Sequence, residues 1–422
     1  MIFIIPKVNL GFKIVCVFAF LISGIMTSHT FWQISDTHVN YCYRGSTSNT
    51  AANGCSRGTG NTGNIGDYKC DTPYWTFRSG IKQMKEIDPN PDFILFSGDL
   101  FGHKDTTSFA LLKVFEKTIV TIKKHFPNIP LIYSLGNTDL WPRNNFSSET
   151  HENYLTEIST IMSDDFDDEQ KKTWNKYGYY STIIQKKLRV VTLNTIIYYV
   201  NNKLTKGLGG DVYRQLAWLK NQVKLAKEND QMVIVHGHVP AGIRKNGYSS
   251  YKTHFNNYVV DKLNSIESEY PGIIKLYVFG HKHRDTLRIT HAGTPMLCAP
   301  SFSFYYNVNS ALARHFQYDL NNKVFTSYQN YWSDLNEANE DEKIIWKPLY
   351  NTTQSPMNFN NLNNENWVDF IYELEHNNDT FQIWYERRKA MYPMPICDKL
   401  CKKDLICLIK TLTKTEYFDC ME

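Results

Sequence analysis

No apolar stretch in this 422-residue chain is long enough to cross a bilayer as a helix. The hydrocarbon core takes about 20 apolar residues, and residues 14–22 offer nine. Charge of one sign is scarce as well: the net charge is +4, and without residues 1–28, which carry Lys7, Lys13 and no acid, 44 basic residues face 42 acidic ones. With no lysine or arginine stripe, a nucleic-acid polymer is not an expected partner. The chain has no internal repeat. It has no P-loop either, because Gly207-Leu208-Gly209-Gly210 lacks the lysine and threonine of that motif and reads as a turn before a helix.

What is present at the N-terminus fits an export signal. Lys7 and Lys13 precede the nine apolar residues, and Ser23, Gly24, Thr27 and Ser28 follow. This is the layout of a secretory signal cut between Gly24 and Ser28, with an uncleaved anchor as the alternative. Secretion, or delivery to a lysosome-like compartment, changes how the nine cysteines read. Cys16 leaves with the signal. Cys397, Cys401, Cys407 and Cys420 crowd the C-terminus, and Cys55 and Cys70 bracket a Gly/Asn/Thr-rich loop. In an oxidising compartment such clusters are disulfides before they are metal sites. Zinc competes for the last four, but no C-x-x-C pair or histidine accompanies them. Cys42 and Cys298 are left over, free or paired together. Asn145, Asn351 and Asn378 each open an N-x-S/T glycosylation acceptor, usable on an exported chain.

Along the chain one pattern recurs: an apolar run, a glycine or serine, then a residue able to bind metal. Residues 31–35 lead into Asp36-Thr37-His38, and Phe93-Ile94-Leu95-Phe96 into Ser97-Gly98-Asp99. Residues 131–135 lead into Gly136-Asn137-Thr138-Asp139, 232–235 into His236-Gly237-His238, and 273–279 into Gly280-His281-Lys282-His283. Residues 188–193 are a sixth run. Tyr74, Phe77, Ile81, Met84 and Ile87 step at helical spacing, as do Val212, Leu216, Leu219 and Val223 behind a cap at Asp211. Strands alternating with helices predict an α/β fold with the polar residues gathered on one edge, where open sheets bind ligands. Strands near 312–320 and 324–332 complete the expected core. From about Pro348 the texture becomes an Asn-rich linker, then amphipathic segments at 367–375 and 381–391 and the cysteine cluster.

The five edges supply Asp36, His38, Asp99, Asn137, His238, His281 and His283: two carboxylates, an amide oxygen and four imidazoles. A lone histidine is more often packed or exposed than ligating, but five strand ends each carrying a metal-competent group are not so easily dismissed. Two ions held about 3.5–4 Å apart need a shared anion, and Asp99 is the natural bridge.

These residues carry a family resemblance. The series Asp36-x-His38, Gly98-Asp99, Gly136-Asn137-x-Asp139, His238 and Gly280-His281-x-His283 resembles the calcineurin-like metallophosphoesterases. His103 four residues past Asp99, HVPAG at 238–242, GHKHRD at 280–285 and the C-terminal cysteine pattern narrow the likeness to acid sphingomyelinases and their secreted sphingomyelinase-like phosphodiesterases. Acid sphingomyelinase proper has a saposin domain before its catalytic domain; here only a signal segment precedes Asp36, so the like-phosphodiesterase branch is the nearer pattern. The resemblance implies a four-layer α/β/β/α sandwich over residues 29–347, after a signal at 1–28, with a disulfide-stapled helical C-terminal domain at 348–422. It implies two Zn2+ ions (Mn or Fe being the other candidates), one held by Asp36, His38, Asp99 and His283 and the other by Asp99, Asn137, His238 and His281. It implies His103 as general acid for the leaving group, Asp139 and Thr138 beside the asparagine in the catalytic set, and pairings Cys397–Cys401, Cys407–Cys420 and Cys55–Cys70. The partner is a phosphodiester substrate, phospholipid or nucleotide, met by a monomer in at most transient contact with membrane.

One departure stands out. The family usually has histidine after the asparagine, where this chain has Thr138. A threonine can donate one hydrogen bond to a phosphate oxygen but carries no positive charge. His236 is a candidate substitute, although a packed strand histidine is the plainer reading. Two other functions follow from the same residues: a secreted binding protein that keeps metal but has weak or lost turnover, and a phosphomonoesterase. The aromatic run at 302–306 serves as a cation–π surface, a stacking platform or simply core.

Overall fold

Phe93–Phe96 forms a four-residue strand buried along its whole length, as an unbroken apolar run requires. The computed structural model describes residues 29–43, 63–103, 107–205, 208–246, 250–255 and 257–422; the expected signal and Cys55 lie outside them. Phe93–Phe96 sits in a six-stranded sheet ordered Lys347–Asn351, Val324–Ser333, Ser310–Asp319, His29–Ile34, Phe93–Phe96, Leu131–Tyr133. The last three strands run parallel and the others antiparallel. Phe31 stacks between Phe93 (4.6 Å) and Phe316 (4.5 Å), locking three neighbouring strands together.

A second six-stranded sheet runs Thr286–Ile289, Pro295–Cys298, Ile274–Phe279, Met232–His236, Leu188–Thr192, Tyr180–Ile184. Its four inner strands are parallel. Helices Tyr74–Ile87 and Ser108–His125 pack beside the first sheet, and Gln215–Glu228 and Asn257–Glu269 beside the second. This is the expected four-layer α/β/β/α sandwich. Phe77, Ile81 and Met84 are the buried stripe of the first helix, as their spacing predicts.

Polar side chains stitch the sheets together at the level of the site. Gln33 Nε2 donates to Ser97 Oγ (3.1 Å) and to Phe279 O across the sandwich (3.0 Å). His236 pairs Nε2 with Ser97 Oγ (3.1 Å) and Nδ1 with Thr192 Oγ1 (3.2 Å). It is fully buried, so the packed-histidine reading holds and it does not stand in for a motif histidine.

Two expectations need correction. The Asp211 carboxylate does cap, but it accepts from Leu216 and Ala217 N (both 2.8 Å), because a short 3-10 turn at Val212–Arg214 delays the α-helix to Gln215. The stretch read as linker from Pro348 begins as the edge strand Lys347–Asn351, drawn in by Tyr350, whose buried hydroxyl donates to Asp285. Helices Asn364–His376, Asn378–Arg387, Lys399–Lys410 and Lys414–Met421 follow, with disulfides Cys397–Cys401 and Cys407–Cys420. Cys42 and Cys298 are free. Trp367, Phe370, Leu374, Trp384 and Ile406 belong to the same apolar core as the sheets, and Arg288 donates to the carbonyls of Ile243, Leu408 and Thr411. No helix among the described residues is long and apolar enough to cross a membrane.

Burial first, and then the neighbouring His238, pushes the His236 imidazole down to about 3. The unfolded chain, titrating near 6.5, therefore binds a proton that the fold refuses. This contribution to stability is complete above pH ~6.5 and is lost as pH falls towards about 3. His236→Asn is expected to cost roughly 1–3 kcal/mol at neutral pH and to flatten that acid slope. Parallel Tm-versus-pH curves for the two proteins would contradict it.

Candidate metal centre

The polar residues that end the parallel strands of both sheets meet at one edge of the sandwich. The loop after His29–Ile34 zips onto the loop after Phe93–Phe96: Asp36 N donates to Gly98 O (3.0 Å) and His38 N to Asp99 O (3.1 Å). Asp36, His38, Asp99, His281 and His283 all have positive φ, between 41° and 69°. Each such non-glycine residue costs of order 1 kcal/mol and persists where its surroundings over-determine it. Two glycines show how tight the fit is. A Cβ on Gly136 would lie 2.0 Å from Asp99 N, and one on Gly280 would lie 1.9 Å from Ser35 Oγ. Asp139 fixes the same loops, its carboxylate accepting from the N–H groups of Asp99 (2.9 Å), Leu100 (2.8 Å) and Gly136 (2.7 Å) and from Tyr133 OH (2.6 Å).

Potential ligand atoms of Asp36, His38, Asp99 and His283 lie within 4.8 Å of one another, as do those of Asp99, His238 and His281. Asn137 Oδ1 joins the second group, 3.0 Å from His238 Nε2 and 2.7 Å from His281 Nδ1. All seven expected ligands therefore converge, and Asp99 belongs to both groups. The donor chemistry fits cations. His38 Nδ1 faces Phe101 O at 2.7 Å and His238 Nδ1 faces Ser97 O at 2.7 Å. Carbonyls only accept, so Nδ1 carries a proton, and in the neutral ring Nε2 presents a lone pair. The His238 lone pair points at Asp99 Oδ1 (3.3 Å) and Asn137 Oδ1, while that of His38 lies 3.7 Å from Asp99 Oδ2 and 3.0 Å from His283 Nε2. Lone pairs aimed at one another repel unless a cation or proton sits between them, and a carbonyl behind each imidazole is how metal ligands are held.

Protonation agrees. Burial holds His38 and His281 well below the usual imidazole range and His283 at about 3, keeping them neutral. Burial would raise Asp99, but His238, then His38 and the Thr138 N–H, hold its carboxyl well below the ordinary value. His238 is pushed up to about 9: burial opposes its charge, and Asp99 more than offsets that. A proton and a divalent cation compete for its Nε2, so metal affinity falls with pH.

His103 stands next to this cluster, its ring stacked on His38 (centroids 4.1 Å apart) and on Tyr305 (4.4 Å). Its Nδ1 lies 2.6 Å from Asp71 Oδ1, and its N–H donates to Asp71 Oδ2 (2.7 Å).

Comparison with known proteins agrees with this geometry. The family model for calcineurin-like phosphoesterase matches residues 29–285, and that for the acid sphingomyelin phosphodiesterase C-terminal region matches 287–422. The chain belongs to the acid sphingomyelinase-like phosphodiesterases. It is 28% identical to the human cyclic GMP-AMP phosphodiesterase SMPDL3A over 411 residues, covering 93% of this chain and 90% of that one. It is 25% identical to Dictyostelium discoideum sphingomyelinase phosphodiesterase C over 419 residues (93% and 92% covered), and 27% to mouse acid sphingomyelinase-like phosphodiesterase 3b over 412 (93% and 89%). A solved dimetal phosphatase from Danio rerio superposes with TM-score 0.42 at 13% identity, covering 72% of this chain and 95% of that one.

In this phosphodiesterase Thr138 faces inward. Its N–H donates to Asp99 Oδ1 (2.8 Å) and its hydroxyl to Phe101 O (3.1 Å), the carbonyl that also receives His38 Nδ1. The expected hydrogen bond from this hydroxyl to a phosphate oxygen is thus replaced by one that helps position His38. Asp139 likewise contacts backbone and Tyr133.

Sequence reasoning missed Asp71, which orients His103; its only signal was an acid directly after Cys70. It also missed His254, buried with Nδ1 on Pro240 O (3.0 Å), Nε2 3.3 Å from Lys282 Nζ, and its ring 5.3 Å from that of His281. The aromatic run divides: Phe302 and Phe304 are core, Tyr305 backs His103, and Tyr306 is half exposed. Tyr306 joins Asp99, His103, Asn137 and His281 in lining a cavity of about 930 Å3 whose far wall is the C-terminal helices.

Asp99→Asn keeps the shape of the shared ligand and removes its charge. Elemental analysis of dialysed protein is expected to show loss of at least one metal equivalent, affinity falling by roughly 10²-fold or more. Undiminished metal content would refute a bridging role for Asp99.

Proposed function

We propose that this phosphodiesterase holds two zinc ions and cleaves phosphodiester or phosphoanhydride bonds of phospholipid or nucleotide substrates in a secreted or lysosome-like setting. The observation that carries this reading is the convergence of imidazole nitrogens and of carboxylate and amide oxygens on both sides of Asp99, with the His103–Asp71 pair alongside. Asp36, His38, Asp99 and His283 would hold one ion and Asp99, Asn137, His238 and His281 the other. Mixed imidazole and carboxylate sets suit Zn, with Mn or Fe as the alternatives. Such ions supply Lewis acidity, lowering the pKa of the attacking water and offsetting charge on the phosphoryl oxygens.

The rest of the chemistry falls to the chain itself. Asp71 accepts from Nδ1–H and fixes the His103 ring, so that the doubly protonated imidazolium delivers its Nε2 proton to the departing oxygen and is left neutral with the Nδ1 proton. Tyr305 and His38 sandwich that ring and prevent it from turning away. Engagement of the Thr138 hydroxyl with Phe101 O removes one donor from the substrate, so the departure from the family's histidine bears on rate rather than on the type of reaction. The relatives carry names from both substrate classes, a cyclic dinucleotide and sphingomyelin. Export is supported by the segment before Ser28, by the two C-terminal disulfides and by the three glycosylation acceptors.

Metal content and hydrolysis of sphingomyelin, bis-p-nitrophenyl phosphate and ATP, measured on one preparation, test the reading. Bound zinc without turnover of any of the three would defeat it. A general acid matters most where the leaving oxygen is basic. His103→Ala and Asp71→Asn are therefore expected to slow release of an alkoxide by about 10²–10⁴-fold, yet to slow release of p-nitrophenolate far less. Equal losses on both kinds of substrate would assign His103 a different role.

A further inference from the structure

The cavity that opens onto the metal ligands continues to a second wall built by the C-terminal unit. Six cationic side chains line it: Arg143, Lys282, Arg284, Arg288, Arg388 and Lys389. Arg288 is accounted for structurally, since its guanidinium donates to three backbone carbonyls that tie the C-terminal helices to the sheet. Arg284, which is exposed, and Arg388 and Lys389 are not held in this way, although the Lys389 ammonium lies 5.2 Å from the Tyr392 ring centroid. Backbone bonds bring them together: Asp285 N donates to Arg388 O (2.8 Å), and Asn309 N donates to Lys389 O (3.2 Å). The end of the loop carrying His281 and His283 thus lies against the end of helix Asn378–Arg387.

No carboxylate among the described residues forms an ion pair with any of the three. Asp285, the nearest acid in sequence, is turned away and saturated by Arg314 Nη2 (2.8 Å), Asn330 Nδ2 (2.7 Å) and the Tyr350 hydroxyl. Asp404, on the far wall, accepts from the Tyr417 hydroxyl. Arg388 Nε is buried with no acceptor, and its guanidinium lies 5.0 Å from the Trp384 ring centroid. Buried donors of this kind are normally satisfied, and the like charges of Arg284, Arg288 and Arg388 are offset only in part by Asp285. Burial and then the Arg284 guanidinium push Arg388 down to about 10 and Lys389 to about 8, Asp285 opposing this for Arg388.

We propose that Arg284, Arg388 and Lys389 form an anion subsite that takes a second phosphate group of the substrate, one that is not being cleaved. The inference rests on the phosphodiesterase reading of the metal site and narrows it. A bidentate guanidinium and an ammonium suit a terminal phosphate. A substrate whose only anion is the scissile phosphodiester has nothing to place among them. The two groups of sites share one cavity, so such a substrate would span from the ligand loops to the end of the Asn378–Arg387 helix.

The test compares the native protein with Arg388→Gln/Lys389→Gln, which leaves the metal ligands, Asp71 and His103 untouched; the single variant Lys389→Gln serves should the double variant fold poorly. With ATP, KM is expected to rise about tenfold or more on loss of the two charge-assisted contacts, with kcat nearly unchanged. With bis-p-nitrophenyl phosphate, which carries one anion, kcat/KM is expected to change less than about threefold. Equal effects on both substrates would overturn the subsite. Should the native protein hydrolyse neither substrate, the phosphodiesterase reading fails by itself, and titration calorimetry with tripolyphosphate against orthophosphate decides the subsite. Native protein that binds tripolyphosphate at least tenfold more tightly than the variant, with orthophosphate unaffected, supports it. Equal tripolyphosphate affinities, or an equal loss for orthophosphate, overturn it.

Discussion

Three imidazole nitrogens and an amide oxygen are held within 3.0–3.7 Å of the oxygens of Asp99 or of one another. Nothing in ordinary packing favours that arrangement. It persists because three participants are gripped from behind: His38 by Phe101 O, His238 by Ser97 O, and Asp99 by the Thr138 N–H. The strain extends into the backbone, where five ligand residues sit at positive φ. A site of this kind is pre-organised. The rigid double sheet bears the electrostatic cost before any cation binds, and the cation then binds a geometry that needs no rearrangement.

That preorganisation depends on residues remote from the chemistry. Asp139 gathers three backbone N–H groups and a tyrosine hydroxyl around one carboxylate, which sets the turn on which Asp99 is mounted. Ser97, Gln33 and His236 couple the two sheets so that ligands from both keep a common register. Thr138 extends the same support to His38.

The cluster of candidate ligands was legible in the sequence because each follows a strand whose unbroken apolar run is itself legible, and open sheets place ligands at those ends. The helix Tyr74–Ile87 was readable for a similar reason, since Phe77, Ile81 and Met84 repeat at its period. What could not be read depends on distances between remote segments. Asp71 meets His103 only because two loops cross, and Lys347–Asn351 joins a sheet because Tyr350 finds Asp285. The delayed start of the Gln215–Glu228 helix reflects φ angles at Tyr213 and Arg214 that no residue pattern announces. The contact of the Thr138 hydroxyl with Phe101 O, 37 positions away, could not be read either.

The cavity has walls of two origins, ligand loops on one side and the helices Asn378–Arg387 and Lys399–Lys410 on the other. On the proposed reading, bond cleavage would depend on the first wall, and the shape and charge met by the rest of the substrate on the second. Mutations in the helices can therefore change what is admitted while the strained cluster stays intact. A lineage could diversify its diet through its C-terminal third alone, without passing through inactive ancestors.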